Sequence, residues 1–128
     1  MLILLGFYKR KPGLTLDEFH RHWGEIHGPL VAKTPNIERF LKRYVQHHIR
    51  PSSGFSGVGT LDYDGFSEAW FVSEAARKEM HAQPYQTEVM IPDEHEFLDM
   101  SATRLLMFDK QVVQIGKDYA FEWMADRT

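Results

Sequence analysis

The sequence contains no cysteine. That excludes a disulfide framework, a Cys-bearing zinc site, an iron–sulfur cluster and a thiol nucleophile, and it suits a reducing cytoplasm. Long hydrophobic runs are also missing. The apolar opening, residues 1–5, is far short of the roughly 20 residues a spanning helix needs, and it lacks the basic start and cleavage pattern of a signal peptide. Charge of one sign is scarce: 15 basic against 18 acidic residues leave a net charge of −3. Such a balance offers no electrostatic reason to bind nucleic acid or an anionic membrane. No repeat, low-complexity tract or G-x-S-x-G elbow is present. The glycines at 54, 57 and 59 open no helix, so they make no phosphate loop.

What remains is ordinary globular material. The 128 residues are 43% hydrophobic and 13% aromatic, with seven histidines, which fits one domain able to bury a core. We place that domain at residues 1–115 and a tail or arm at 116–128. The loop-like stretch 51–57 is too short to separate domains. Histidine titrates near neutral pH, so the question is which of the seven are placed to act.

Residues 1–9 read as a strand ending at a Pro12-Gly13 turn. Thr15 and Glu18 form a capping box. Leu16, Phe19, Trp23, Ile26 and Leu30 then follow at helical spacing. Pro29 predicts an end or kink near His27. Thr34-Pro35 reads as a second helix start, and 40–50 as a strand. Residues 57–62 and 66–72 read as a strand or hairpin broken at Asp64-Gly65. Ser73 caps a helix over 74–83, stopped by Pro84; 85–98 is ambiguous, with a helical turn around 93–98. Residues 103–113 read as the last strand. The order β-α-β-β-α-β is α+β and ferredoxin-like, an antiparallel sheet with both helices on one face. The bare opposite face calls for a partner, most simply a second copy packed sheet on sheet.

Three constellations carry chemistry. His27 falls at the edge of the helix's apolar stripe, where burial and the helix dipole oppose each other on its proton. That suits an acid–base residue, although a half-buried histidine bonded to a backbone carbonyl would look the same. Tyr44, Gln46 and His48 share a strand face with Phe40, lining either a cavity or solvent. Glu68 shares a face with Phe66 and Trp70, where a carboxylate needs a partner. His22 and His27 are about 140° apart on an α-helix and cannot chelate together. A His27–His48–Glu68 metal set is conceivable, but we expect no bound metal. Lys9, Arg10 and Lys11 read as a solvated face.

The run from Lys11 to His20, with Trp23 and Glu25-Ile26-His27-Gly28-Pro29-Leu30, resembles the opening signature of the EthD domain family. Residues 43–48 and 64–71 resemble its second and third strands, and the likeness spans roughly residues 1–112. It implies a dimeric α+β barrel whose pocket, between helices and sheet, gathers His27, Tyr44, Gln46, His48, Glu68 and Trp70. Members of that barrel superfamily include cofactor-free lactone isomerases, polyketide cyclases and dehydratases, and a histidine from the first helix recurs as the catalytic group. The lactone isomerases also use a cysteine, which this chain lacks.

The expectation is therefore a cofactor-independent lyase or isomerase acting on a hydrophobic aromatic, polyketide-like or lactone substrate. His27 moves the proton, Tyr44 or His48 donates to the enolate oxygen, Glu68 orients an imidazole and Gln46 places a substrate oxygen. Phe40, Phe66, Trp70 and Trp23 wall the pocket. The alternatives are an accessory protein that binds a hydrophobic metabolite, or a cofactor-free monooxygenase; a lone histidine could also hold haem. The expected partners are a hydrophobic small molecule and a second copy of the chain, with no nucleic acid and no membrane.

Overall fold

The computed structural model describes residues 1–108 and 111–116. β1 (Leu2–Tyr8) runs into a turn, and Thr15 opens α1 (Leu16–His22). The capping box forms: Thr15 Oγ1 accepts from the Glu18 amide at 3.1 Å, and Glu18 Oε1 accepts from the Thr15 amide at 2.9 Å.

The helix does not end at His27. α1 passes into a π-turn, Trp23–His27, and continues as α2 (Gly28–Ala32) with Pro29 in its first turn. The Gly28 amide bonds to the Trp23 carbonyl, five residues back. Proline has no N–H, and its ring crowds the carbonyl four residues back. The wider turn relieves that clash, and the chain resumes α-helix at Gly28.

Thr34-Pro35 makes a turn rather than a helix start. Asn36, in the left-handed region at φ 60°, precedes the short α3 (Ile37–Phe40). β2 (Leu41–His48) and β3 (Gly65–Phe71) follow. The strand expected at 57–62 is absent. That segment is loop with one isolated Phe55–Val58 bridge, and both side chains are exposed because no neighbouring strand covers them. Lys9 and Arg10 pair with Asp62 and Asp64 of this loop, so two of the three basic residues are tied down.

Ser73 Oγ caps α4 (Glu74–His81) through the Ala76 amide. Past Pro84 the ambiguous stretch proves helical, with a second π-turn at Gln86–Met90 and α5 (Ile91–Phe97), again with proline in its first turn. A 3₁₀ turn at Met100–Ala102 leads to β4 (Arg104–Phe108). This strand is shorter than expected: residues 111–113 are not strand, and 109–110 lie outside the described residues. Most of the anticipated tail, 117–128, lies outside them too.

The strands form one antiparallel sheet in the order β2-β3-β1-β4, the ferredoxin-like α+β arrangement. No repeat shows in the sequence, yet the structure has one. β1 and β3 begin at residues 2 and 65, the π-turns at 23 and 86, α2 and α5 at 28 and 91, and β2 and β4 at 41 and 104, a constant offset of 63. Two apolar clusters hold helices to sheet. One contains Val31, Phe40, Phe71, Met80 and Met90; the other contains Phe19, Trp23, Phe97 and Leu98. Among the described residues, no helix is long and apolar enough to cross a membrane.

Candidate active site

Paired residues of antiparallel strands share a face, so register sorts the side chains. Gln46 pairs with Ser67, Ser67 with Gly6, and Tyr44 with Ala69. Gln46 donates to the Trp23 carbonyl at 2.8 Å, which identifies this as the helix-facing side. Between it and the helices lies a cavity of about 110 Å³. Its polar lining includes His27, Tyr8, Tyr44, Ser67 and His81, and its apolar walls include Val31, Phe71, Met80 and Met90.

His27 is 8% exposed, and its Nδ1–H donates to Asp93 Oδ2 at 2.9 Å. Asp93 thereby selects the Nδ1–H tautomer. Nε2 has no hydrogen-bond partner among the described residues and is free to act on a molecule in the cavity. Burial pulls the His27 pKa below its ordinary value, only partly offset by Asp93. The imidazole is thus a neutral base with one nitrogen anchored.

Two phenols face the same space. Burial pushes Tyr44 up to about 12 and raises Tyr8, so both keep their protons as donors. Tyr8 shares a hydrogen bond with Ser67 at 3.1 Å, and Gln46 donates to Tyr44 Oη at 3.3 Å. Glu94, next to Asp93, is raised to about 7 by burial and then by the Asp93 charge, and it acts electrostatically on Tyr8 and Tyr44. His81 is lowered by burial and then by Arg77.

His22 also bonds to Asp93, Nε2–H to Oδ1 at 2.8 Å. The expectation that His22 and His27 point apart is overturned. It assumed an uninterrupted α-helix, whereas the π-turn beginning at Trp23 brings residues five apart into register. Among the described residues, no group of three or more His, Asp or Glu is arranged to hold a metal ion.

The expected residues divide. His27 and Tyr44 line the cavity, and Gln46 braces Tyr44 from beside it. His48 shares their face but sits at its exposed end. Its Nε2–H donates to Gln46 Oε1 at 3.0 Å, and its Nδ1 lies 2.8 Å from His20 Nδ1. His48 does not meet His27. Phe40 and Trp23 are core, at 2% and 1% exposure.

Glu68, Trp70 and Phe66 point away from the cavity. Glu68 pairs with Leu5 and Val45 on the sheet's opposite face, where it accepts from His47 Nε2–H at 2.7 Å and from Trp70 Nε1–H at 2.9 Å. Phe66 stacks on His47. Even-numbered residues of β2 align with odd-numbered residues of β3, so Glu68 cannot orient His27 or His48. The carboxylate that bonds to His27 is Asp93. Asp93, Glu94, Tyr8 and Ser67 were not legible; the sole hint was an acidic pair after Pro92 in a stretch of unresolved periodicity.

Fold and dyad together describe an α+β domain with a cavity between sheet and helices, lined by an imidazole that is hydrogen-bonded to a carboxylate. The EthD domain profile matches residues 11–101, and the chain belongs to the EthD domain family. A dehydratase of Ustilaginoidea virens (ustZ) is 26% identical over 113 residues, covering 83% of this chain and 79% of that one. A decarboxylase of Aspergillus novofumigatus (nsrE) is 24% identical, covering 80% and 71%. The crystal structure of an EthD family protein from Bacillus halodurans superposes with a TM-score of 0.63 at 18% identity, covering 87% of this chain and 99% of that one. A dimeric ferredoxin-like protein of unknown function from Bacteroides fragilis gives 0.59 at 9% identity, covering 85% and 95%. These two structures speak to the fold alone.

Proposed function

We propose that this chain is a lyase that eliminates a small molecule, water in the simplest case, from a hydrophobic carbonyl compound by proton transfer through His27, without a bound cofactor. The observation that carries the reading is the His27–Asp93 bond at 2.9 Å, which leaves Nε2 free at the cavity. The names of the dehydratase and decarboxylase relatives support the same class.

The step balances within the site. His27 Nε2 takes a proton from the carbon beside the carbonyl, and the electron pair moves to the carbonyl oxygen. Tyr44, held protonated, donates to that enolate oxygen. The enolate collapses, expels the β-hydroxyl group, and the imidazolium returns its proton to that group as water. The apolar wall of Val31, Phe71, Met80 and Met90 suits an aromatic or polyketide-like body. The chain acts as a homodimer through the opposite sheet face, where Leu106 is exposed and Phe7 stacks on Phe66; the Bacteroides neighbour, described as dimeric, supports this.

The test is solvent deuterium exchange and product formation with a panel of β-hydroxy carbonyl compounds, comparing wild type with His27→Ala. Exchange and product lost in the variant are expected. Equal turnover by both proteins would overturn the role of His27, and saturable binding without turnover would favour an accessory binding protein.

A further inference from the structure

His22 has no part in the proton transfer above, yet it is tied to the group that governs it. Asp93 carries an imidazole on each oxygen: His27 on Oδ2 at 2.9 Å and His22 on Oδ1 at 2.8 Å. The carboxylate itself is only 11% exposed. The two rings face different surroundings. His27 lines the inner cavity, whereas His22 lines an outward groove of about 260 Å³ with Glu18, Arg21, Glu25 and Glu96. The His22 ring lies nearly flat on Phe97, centroids 4.6 Å apart at 20°. Phe97 is fully buried, so packing as well as hydrogen bonding fixes His22.

We infer that His22 is a positioning residue: it pins Asp93 from the outer side and shares the carboxylate charge that would otherwise serve His27 alone. The inference rests on the reading of His27 as the base. With Oδ1 free, Asp93 could turn about its side-chain bonds and lose the geometry that selects the Nδ1–H tautomer. Its full charge would also stabilise a protonated His27. A donor on Oδ1 opposes both effects, and a proton on His22 would oppose a second proton on His27 through the same carboxylate. The electrostatics agree in sign: burial lowers the His27 pKa, Asp93 raises it and His22 lowers it again. The other groups facing the pair are Glu94 from α5, Tyr8 and Tyr44 from the sheet, His81 across the cavity, and the four charged residues of the outer groove. None of these makes a side-chain hydrogen bond to either imidazole among the described residues.

The test titrates the histidine ring signals by NMR in wild type, His22→Phe and His22→Gln. Phenylalanine keeps the flat contact with Phe97 and removes the donor; glutamine restores a donor. The expected result is a His27 pKa raised by roughly 0.5–1 unit in His22→Phe and returned toward wild type in His22→Gln. An unmoved His27 in His22→Phe overturns the inference. If His22→Phe does not fold, wild type decides: interdependent His22 and His27 titration curves support the inference, and independent single-proton curves overturn it. These readouts need no substrate, so they stand apart from any failure of the lyase reading. Where turnover is found, the acid limb of kcat/KM should move to higher pH in His22→Phe with KM unchanged.

Discussion

Gln46 donates its side-chain amide to the main-chain carbonyl of Trp23 at 2.8 Å, the oxygen that also receives the Gly28 amide across the π-turn. A side chain from the sheet thus braces the irregular turn that brings His22 and His27 onto one carboxylate. Gln46→Ala should lower stability by about 1–2 kcal/mol and blunt activity further by loosening the turn. Urea denaturation with matched kinetics checks this; an unchanged midpoint would show that the turn holds without the brace.

The dyad makes a graded prediction. His27→Ala should abolish proton exchange from substrate, while Asp93→Asn should retain the fold and cost about 10²–10⁴ in kcat/KM. The asparagine can still accept a hydrogen bond but no longer supports the imidazolium. Circular dichroism controls for folding, and full activity in Asp93→Asn would rule out the orienting role.

Glu94 predicts a pH dependence with a definite sign. Its folded pKa is raised to about 7 from 4.5. Between those values the folded state binds the extra proton, so its contribution is present below 4.5 and is lost as pH rises through 7. His27 acts in reverse. Its lowered pKa means the unfolded chain takes the proton first, and stability falls as pH drops below about 6.5. Melting temperatures of Glu94→Gln and wild type from pH 5 to 8 should diverge with rising pH, the variant gaining. A constant difference would remove Glu94 as the source.

The proposed dimer predicts a single-residue switch. Leu106, on the face opposite the cavity and 44% exposed, should when changed to Glu convert a dimer into a monomer in light scattering. A wild-type mass equal to one 15.0 kDa chain would refute the assembly.

Gly65 tests the packing of β3 on the helix. A Cβ there would run into the Trp23 ring, so Gly65→Ala should cost about 1–3 kcal/mol. Calorimetry measures it, and a neutral result would mean that Trp23 has room to shift.

The sequence disclosed the fold well where signals were local. Thr15 and Glu18 formed their capping box, Ser73 capped α4, and the β-α-β-β-α-β order held. Tyr44, Gln46 and His48 shared the helix-facing side as alternation required. What failed depended on phase. Helical angles counted at about 100° per residue cannot register a π-turn, so they place His22 away from His27. Strand alternation groups Phe66, Glu68 and Trp70 correctly but is silent on which face they take. Only register settles that, and a one-residue slip reverses it. Asp93 lay where proline and a π-turn together erased the periodicity.

The 63-residue offset has a chemical consequence. By that offset His27 corresponds to Met90 and Asp93 to Leu30. Met90 lines the same cavity, and Leu30 packs beside it in the apolar cluster. The fold offers two equivalent seats for a reactive pair, fills one with imidazole and carboxylate, and fills the other with thioether and alkyl groups. A pseudo-symmetric scaffold thereby becomes polarised: of two equivalent seats one holds the imidazole–carboxylate pair and the other is apolar, so under the proposed reaction a guest would meet the proton-transferring pair from one side alone.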